Sequence, residues 1–403
     1  TQDLLTLLDW LVEWECTQVA MESTGDYRKP VFNELEGTFE VYLVNAQHVK
    51  HVPGRKTEVT HSEWLAELML HGLLRPSFIP PKPQRALRDL TRYRTKLVQE
   101  RSRTVNRVQK LLEGANIKLG SVVSDVQGVS AQAMIAELCE GQMSPQEMAQ
   151  LARGTLRKKI PELEQALTGV VEAHHRFLLS KQLTHIDFLD EQVADISAEI
   201  AQQLEEMSTA HDTSEEGGAS PPPTTKTEPS SGEAPLTWTE AVVLLDTIPG
   251  VGVKAAENIL AEIGLDMSRF PTADHLTAWA GLAPGNHESA GKRHSGRTRK
   301  GNRPLATTMV QAAWSAARTK GTYLKSRYHR LAARRGKKRA IVGVARSMLV
   351  SIWHMLSYRQ PYQELGDDFL DQRRKEAKLN YLTRQLEKLT GGSVQIEFQS
   401  VAG

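Results

Sequence analysis

The stretch Asp3–Asn45, DLLTLLDWLVEWECTQVAMESTGDYRKPVFNELEGTFEVYLVN, alternates between two hydrophobic periods, and that alternation decides the fold class of the first part of the chain. Leucines at 4, 5, 8 and 11 have the one-face spacing of an amphipathic helix over Asp3–Trp14. Gln18–Ser23 (QVAMES) reads as a buried strand ending in a turn at Thr24–Gly25, and Phe39–Asn45 (FEVYLVN) as a second strand. A helix follows over Ser62–Leu74, with Thr60 and Glu63 at capping-box spacing. Helix, strand, helix, strand, helix is α/β organisation, with crossovers suited to parallel strands.

Working outward, the Pro-rich FIPPKPQ segment closes this unit near residue 80. Arg85–Glu113 then reads as one long helix with nine Lys/Arg against three acids, a one-sided charge that favours a nucleic-acid contact over a solvated face. A second long helix, Val171–Met207, spaces Leu179, Leu183, Ile186, Leu189, Val193, Ile196, Ile200, Leu204 and Met207 mostly by threes and fours. That is a heptad seam, predicting coiled-coil pairing within the chain or between subunits. His211–Pro235 shifts to Ser, Thr, Pro, Gly and Glu and reads as a disordered linker. The apolar helical pattern then resumes, and a charged helix with a short terminal strand is expected from Asp371. The expected divisions are therefore 1–80, 81–210, 211–235, 236–370 and 371–403.

With 403 residues, 40% hydrophobic and 24% charged, the composition excludes fibrous and wholly disordered classes. No signal peptide is visible and no apolar run approaches the ~20 residues of a membrane span, so no membrane partner and a cytoplasmic, nucleoid-associated setting are expected. Cys16 and Cys139 lie too far apart to read as a ligand pair, which argues against a cysteine zinc site. The net charge of +2 conceals a strong asymmetry. Ser289–Gln363 holds 18 Lys plus Arg and no carboxylate, whereas Glu205–Glu233 holds seven carboxylates against Lys226. So long an acid-free stretch points to a polyanionic partner.

Two motifs carry specific chemistry. Asp246–Gly264, DTIPGVGVKAAENILAEIG, has the pattern of a helix-hairpin-helix element. Gly250 and Gly252 would let the backbone approach a phosphate, with Lys254 and the N–H groups of the second helix beside it. The plainer reading is a helix–turn–helix corner in a small bundle. Trp279–Asn302, WAGLAPGNHESAGKRHSGRTRKGN, reads as a flexible loop wrapping an anion, with Lys292, Arg293, Arg297, Arg299 and Lys300 inside it and Arg303 just beyond. Ser289 lies in that loop. A loop serine is by default only solvated; catalysis would need a base or metal and a cation, and here the sequence supplies the cation but no adjacent base. Arg92, Arg94, Arg103 and Arg107 on the long basic helix, and Arg55 and Lys56 upstream, complete the candidate nucleic-acid contacts. Glu22 at a strand end, with Glu58 and His61 entering a helix, could converge on a divalent cation, or could be ordinary turn and helix residues.

Taken together these segments resemble the DEDD-type insertion-sequence transposases, described as bridge-RNA-guided recombinases. The resemblance covers nearly the whole chain and rests on VAMESTGDYRKPV, VNAQHVKHVPGRKTEVTHSEWLAEL, RYRTKLVQERSRTVNRVQKLLEGANIKL, IPGVG and WAGLAPGNHESAGKRHSGRTRKGN. It implies a ribonuclease-H-like metal domain, a coiled-coil region and a C-terminal helical domain with a nucleophilic serine. Ser289 matches that serine, which would attack a DNA phosphate to give a phosphoserine intermediate. Glu22 matches the catalytic glutamate. Glu58 and His61 stand where the family has aspartates; the first lengthens the ligand by one methylene and the second favours Mn²⁺ over Mg²⁺. By the same resemblance the tetrad's first aspartate and three strands would lie upstream of Thr1, leaving the sheet incomplete with an exposed edge. The resemblance further implies DNA and a guide RNA as partners, and a homo-oligomer (dimer or tetramer) whose subunits share the active site. Two other readings stand beside it: a catalytically inactive relative that only binds DNA or RNA, and a host DNA-binding protein built on the helix-hairpin-helix alone.

Overall fold

The computed structural model describes residues 2–23, 25, 27–44, 58–74, 76–212, 236–285, 287–298 and 300–390, with the backbone alone at 58–61, 210–212, 287–289, 293–295, 376–377 and 389–390. These residues are mostly helical and fall into two compact units, Thr1–Pro81 and Lys82–Gly403.

The first unit follows the expected alternation: α1 (Gln2–Glu13), β1 (Gln18–Glu22), α2 (Arg28–Leu35), β2 (Glu40–Val44) and α3 (Glu58–Leu70). The two strands pair in parallel, Gln18 opposite Glu40 and Glu22 opposite Val44, as a helical crossover requires. Gln18 Nε2 donates to Glu40 Oε2 at 2.7 Å and fixes that register at its start. Leu35, Leu43, Val44, Leu65 and Leu68 are buried. Helix α3 begins at Glu58, a turn earlier than the spacing predicts, so Thr60 lies inside the helix and cannot be its cap. The helix stops where Gly72 takes φ +64° and Leu73 N–H bonds Leu68 C=O, a Schellman-type ending that only a residue tolerant of left-handed backbone closes cheaply.

The second unit is built on two long helices, α4 (Lys82–Gly114) and α5 (Ala173–Asp212). They run antiparallel. Leu87 clusters with Ile200 and Leu204, Leu97 with Leu189 and Val193, and Val108 and Leu112 with Leu179 and Ile186. The heptad seam of α5 therefore closes against α4 and its neighbours in the same chain. Between the two helices the chain forms shorter ones, among them Val129–Glu140 and Ile160–Ala166, whose Met134, Ile135, Leu138 and Leu163 cap one end of the pair.

At the other end a second core gathers α6 (Trp238–Asp246), α7 (Val253–Ile263), α8 (Ala273–Trp279), α9 (Arg303–Ala316), α10 (Tyr323–Arg335) and α11 (Lys337–Tyr358) around Ile259, Leu260, Leu305, Met309, Met348 and Leu349. Thr237 and Glu240 form a reciprocal capping box at the start of α6, and its backbone hydrogen bond holds the Glu240 carboxyl below the usual carboxylate range. Helix α11 corrects the composition reading: at a mean hydropathy of 1.4 it is long and apolar enough to cross a membrane. Half of that stretch is buried, with Ile341, Val344, Met348 and Ile352 in the core, so the apolarity serves packing. Helix α12 (Phe369–Thr390) begins two residues before Asp371. The expected linker from 213 onward and the terminal strand lie outside the described residues.

Candidate serine hairpin and nucleic-acid interface

The glycine-rich stretch before α9 includes a two-stranded hairpin with a pinched neck, where the sequence predicts a loop. β3 (His287–Ser289) and β4 (Lys292–Ser295) pair antiparallel, with Ser289 opposite Lys292, Glu288 opposite Arg293, and an irregularity beside His287. Ala290 at φ +51° and Gly291 at φ +75° make the two-residue turn, both left-handed as a hairpin of this twist requires. Ser289 is thus the last strand residue before the turn.

Below the strands, Gly285 N–H donates to Arg297 C=O at 3.1 Å, and Asn302 N–H to Trp279 C=O at 3.1 Å. Two of the glycines are there for close approach. A Cβ on Gly285 would collide with the Arg297 carbonyl, and one on Gly301 would come within 2.5 Å of the Trp279 carbonyl. Asn302 Oδ1 accepts from Leu305 N–H at 3.1 Å and so caps α9. Lys292, Arg297, Lys300 and Arg303 are exposed around this hairpin; the side chains of Ser289, Arg293 and Arg299 lie outside the described residues.

The arginines of α4 divide into two sets. Arg94 is only 3% exposed. It donates to Glu257 Oε2 at 2.6 Å, Asn258 Oδ1 at 3.0 Å and the Lys254 carbonyl at 3.2 Å. Arg92 grips Glu262 through Nε at 2.6 Å and Nη2 at 2.8 Å, and that hydrogen bonding raises its pKa. Arg88 reaches the Ala261 carbonyl at 2.9 Å and the Glu262 carbonyl; burial pulls its pKa down to about 10. Arg92 and Arg94 therefore bolt α4 to α7; the buried Arg94 is withdrawn from the solvent, a correction to its reading as a phosphate contact, whereas the Arg92 side chain is 39% exposed. Arg103 and Arg107 are exposed on α4 and keep that reading open.

At the IPGVG turn the two glycines also differ. Gly250, at φ +89°, lies against α9, where a Cβ would come within 2.6 Å of the Ala312 carbonyl, so its bareness serves helix packing instead of phosphate approach. Gly252, the N-cap of α7, has nothing within 4 Å of that position, and Val253 and Lys254 beside it are exposed. The corner between α10 and α11 presents Arg334, Arg335, Lys337, Lys338 and Arg339, all exposed, around Gly336.

In the first unit Glu22 ends β1 at the C-terminal edge of the parallel pair. Glu58 and His61 lie three residues apart on α3, but their side chains, like Arg55 and Lys56, lie outside the described residues. Among the described residues one other group could hold a metal: Glu172, His174 and His175 at the start of α5, whose ligand atoms lie within 4.8 Å of one another. That group sits over the positive end of the helix dipole, which disfavours a cation. The residues that sequence reasoning missed are the carboxylates Glu257 and Glu262 and the cap Asn302. The one available signal was that both acids interrupt the apolar face of α7.

Two stretches of the chain match known protein families, the first running past Pro81 into α4. Residues 1–117 match a model of DEDD-type transposases, and residues 242–329 match the family described as transposase IS116/IS110/IS902. Both stretches are transposase domains. More narrowly, the chain carries transposase domains of the IS110 family. It is 36% identical over 116 residues to an uncharacterised protein of insertion element IS110 from Streptomyces coelicolor, 28% of either chain. It is also 29% identical over 124 residues to pilin gene-inverting proteins of Moraxella bovis and Moraxella lacunata, 30% of this chain and 38% of theirs. The matches thus span well under half the length of these relatives.

Proposed function

We propose that the chain is the transposase of an insertion sequence that cuts and rejoins DNA through Ser289. The observation that carries this reading is a serine at the end of a strand whose neck is pinned, with Lys292 directly across the ladder, at the head of a 75-residue stretch without a carboxylate that begins just after Glu288. In the proposed step the Ser289 oxygen attacks a backbone phosphorus and loses its proton. One P–O bond to the adjoining deoxyribose breaks, and that sugar leaves as a free hydroxyl. The ester is conserved on the serine, so attack by another DNA hydroxyl reverses the step and rejoins the strand with no external energy source.

Glu22, with Glu58 and His61, supplies the oxygen and nitrogen donors that a divalent cation accepts, with the histidine favouring Mn²⁺ over Mg²⁺. Such a cation, when bound, would neutralise charge developing on the phosphate. In a dimer or tetramer, one subunit's Glu22 would serve the serine of another. Lys292, Lys300 and Arg303 would hold the DNA backbone near the hairpin, while the Arg334–Arg339 corner offers a separate basic surface for a guide RNA. The Moraxella relatives bear the name of pilin gene-inverting proteins. The same serine chemistry on two inverted sites gives inversion, so the substrate arrangement distinguishes the two outcomes.

The test is to incubate the protein with element-end DNA and a divalent cation, denature, and look for covalent protein–DNA complexes. The modified peptide should map to the hairpin. An adduct elsewhere would overturn the serine assignment, and no adduct under any metal would favour a relative that only binds. A companion measurement addresses binding. Neutralising Lys292, Lys300 and Arg303 together should weaken DNA affinity across sequences and reduce the log–log salt slope by roughly one per lost phosphate contact. An unchanged slope removes these residues from the interface.

A further inference from the structure

Glu262 is a buried carboxylate, 2% exposed, in the last turn of α7. Burying a carboxylate is expensive, and an apolar side chain would pack this face of α7 more cheaply. What Glu262 provides is direction. Arg92 binds both of its oxygens, Nε to Oε1 at 2.6 Å and Nη2 to Oε2 at 2.8 Å, and Arg88 lies 3.5 Å away. The planar fork fixes the carboxylate in one orientation. Its Oε2 then accepts from Asn302 Nδ2 at 2.7 Å. Asn302 meanwhile closes the hairpin neck through its N–H to Trp279 and caps α9 through Oδ1.

A two-stranded hairpin is marginally stable alone in water, so its placement must come from its anchorage. We propose that Glu262 and Asn302 are positioning residues: the arginine-clamped carboxylate holds the Asn302 amide, and through it the neck of the hairpin that carries Ser289. The role in catalysis rests on Ser289 being the nucleophile. The tether itself does not. The long basic helix α4 thus contributes to the serine site through Arg92 and Arg88 by fixing a carboxylate. A nucleophile displaced by ~1 Å loses on the order of a hundredfold in rate, which is the scale on which such a tether matters.

Asn302→Ser separates the functions, since serine still caps α9 but cannot reach Glu262 with an amide. In this variant the Gly285 amide and its hairpin neighbours should exchange with deuterium about ten- to a hundredfold faster, while exchange in α9 and α11 stays at the native rate. DNA affinity should hold within about twofold and the rate of adduct formation should fall at least tenfold, a split that general destabilisation would not produce. Native exchange at Gly285 would overturn the tether. Faster exchange with an undiminished adduct rate would overturn the positioning role. Should the native protein form no adduct, the Ser289 reading fails by itself, and the exchange measurement still decides the tether.

Discussion

Replacing Arg94 with alanine is expected to destabilise the Lys82–Gly403 unit by roughly 3–5 kcal/mol, with a fall in melting midpoint of about 10 °C. The expectation follows from what the substitution leaves behind. Glu257, whose side chain is 9% exposed, would be left buried with its guanidinium partner gone, and Asn258 and the Lys254 carbonyl would each lose a donor. Most of the cost comes from the lost counter-charge, so a paired replacement, Arg94→Met with Glu257→Leu, should recover most of the stability. Thermal denaturation of the single and double variants measures both. If Arg94→Ala melts with the native protein while losing DNA affinity, α4 is a phosphate-binding helix after all. The contrasting control is Arg103→Ala with Arg107→Ala, where both side chains are exposed and stability should change by less than about 0.5 kcal/mol per site.

Gly250→Ala has the second large expected effect. Two penalties combine at this position: a φ of +89°, which disfavours any side chain, and a Cβ aimed into the backbone of α9 near Ala312 and Ala316. Backbone cannot rotate aside as a flexible side chain would, so the α6–α7 turn and α9 must separate, opening the core between them. A cost on the order of 4 kcal/mol is expected. Gly252→Ala, two residues along, has open space and φ −103°, and should cost less than ~1 kcal/mol. Chemical denaturation of the pair checks the difference. Equal effects would mean that the IPGVG glycines act alike, as a phosphate-approach motif would have them.

These contrasts mark where the sequence was legible. Hydrophobic period placed α5, since the residues it counts are the ones that pack: Leu179, Ile186 and Leu189 form the seam and are buried. Charge counting was weaker because a net excess says nothing about which face a cation occupies. Arg92 and Arg94 contribute to the basic total as Arg103 and Arg107 do, yet their partners Glu262 and Glu257 lie more than 160 residues away. No local pattern reveals such a pair. Glycine content misled in the same way around Ser289. Gly285 and Gly301 read as flexibility, but each permits a backbone contact that fixes the neck. Asn302, an ordinary loop residue by its sequence, joins the neck, the α9 cap and the buried carboxylate.

Whether Ser289 bonds to DNA decides between a cutting-and-rejoining enzyme and a protein that only binds. Ser289→Ala and the native protein should bind DNA with equal affinity, because the substitution removes one hydroxyl from a hairpin whose anchors lie elsewhere. With a divalent cation present, the native protein should give a denaturation-resistant complex with cleaved DNA, and the alanine variant none. A variant that still couples covalently to cleaved DNA would contradict the assignment of Ser289 as the nucleophile.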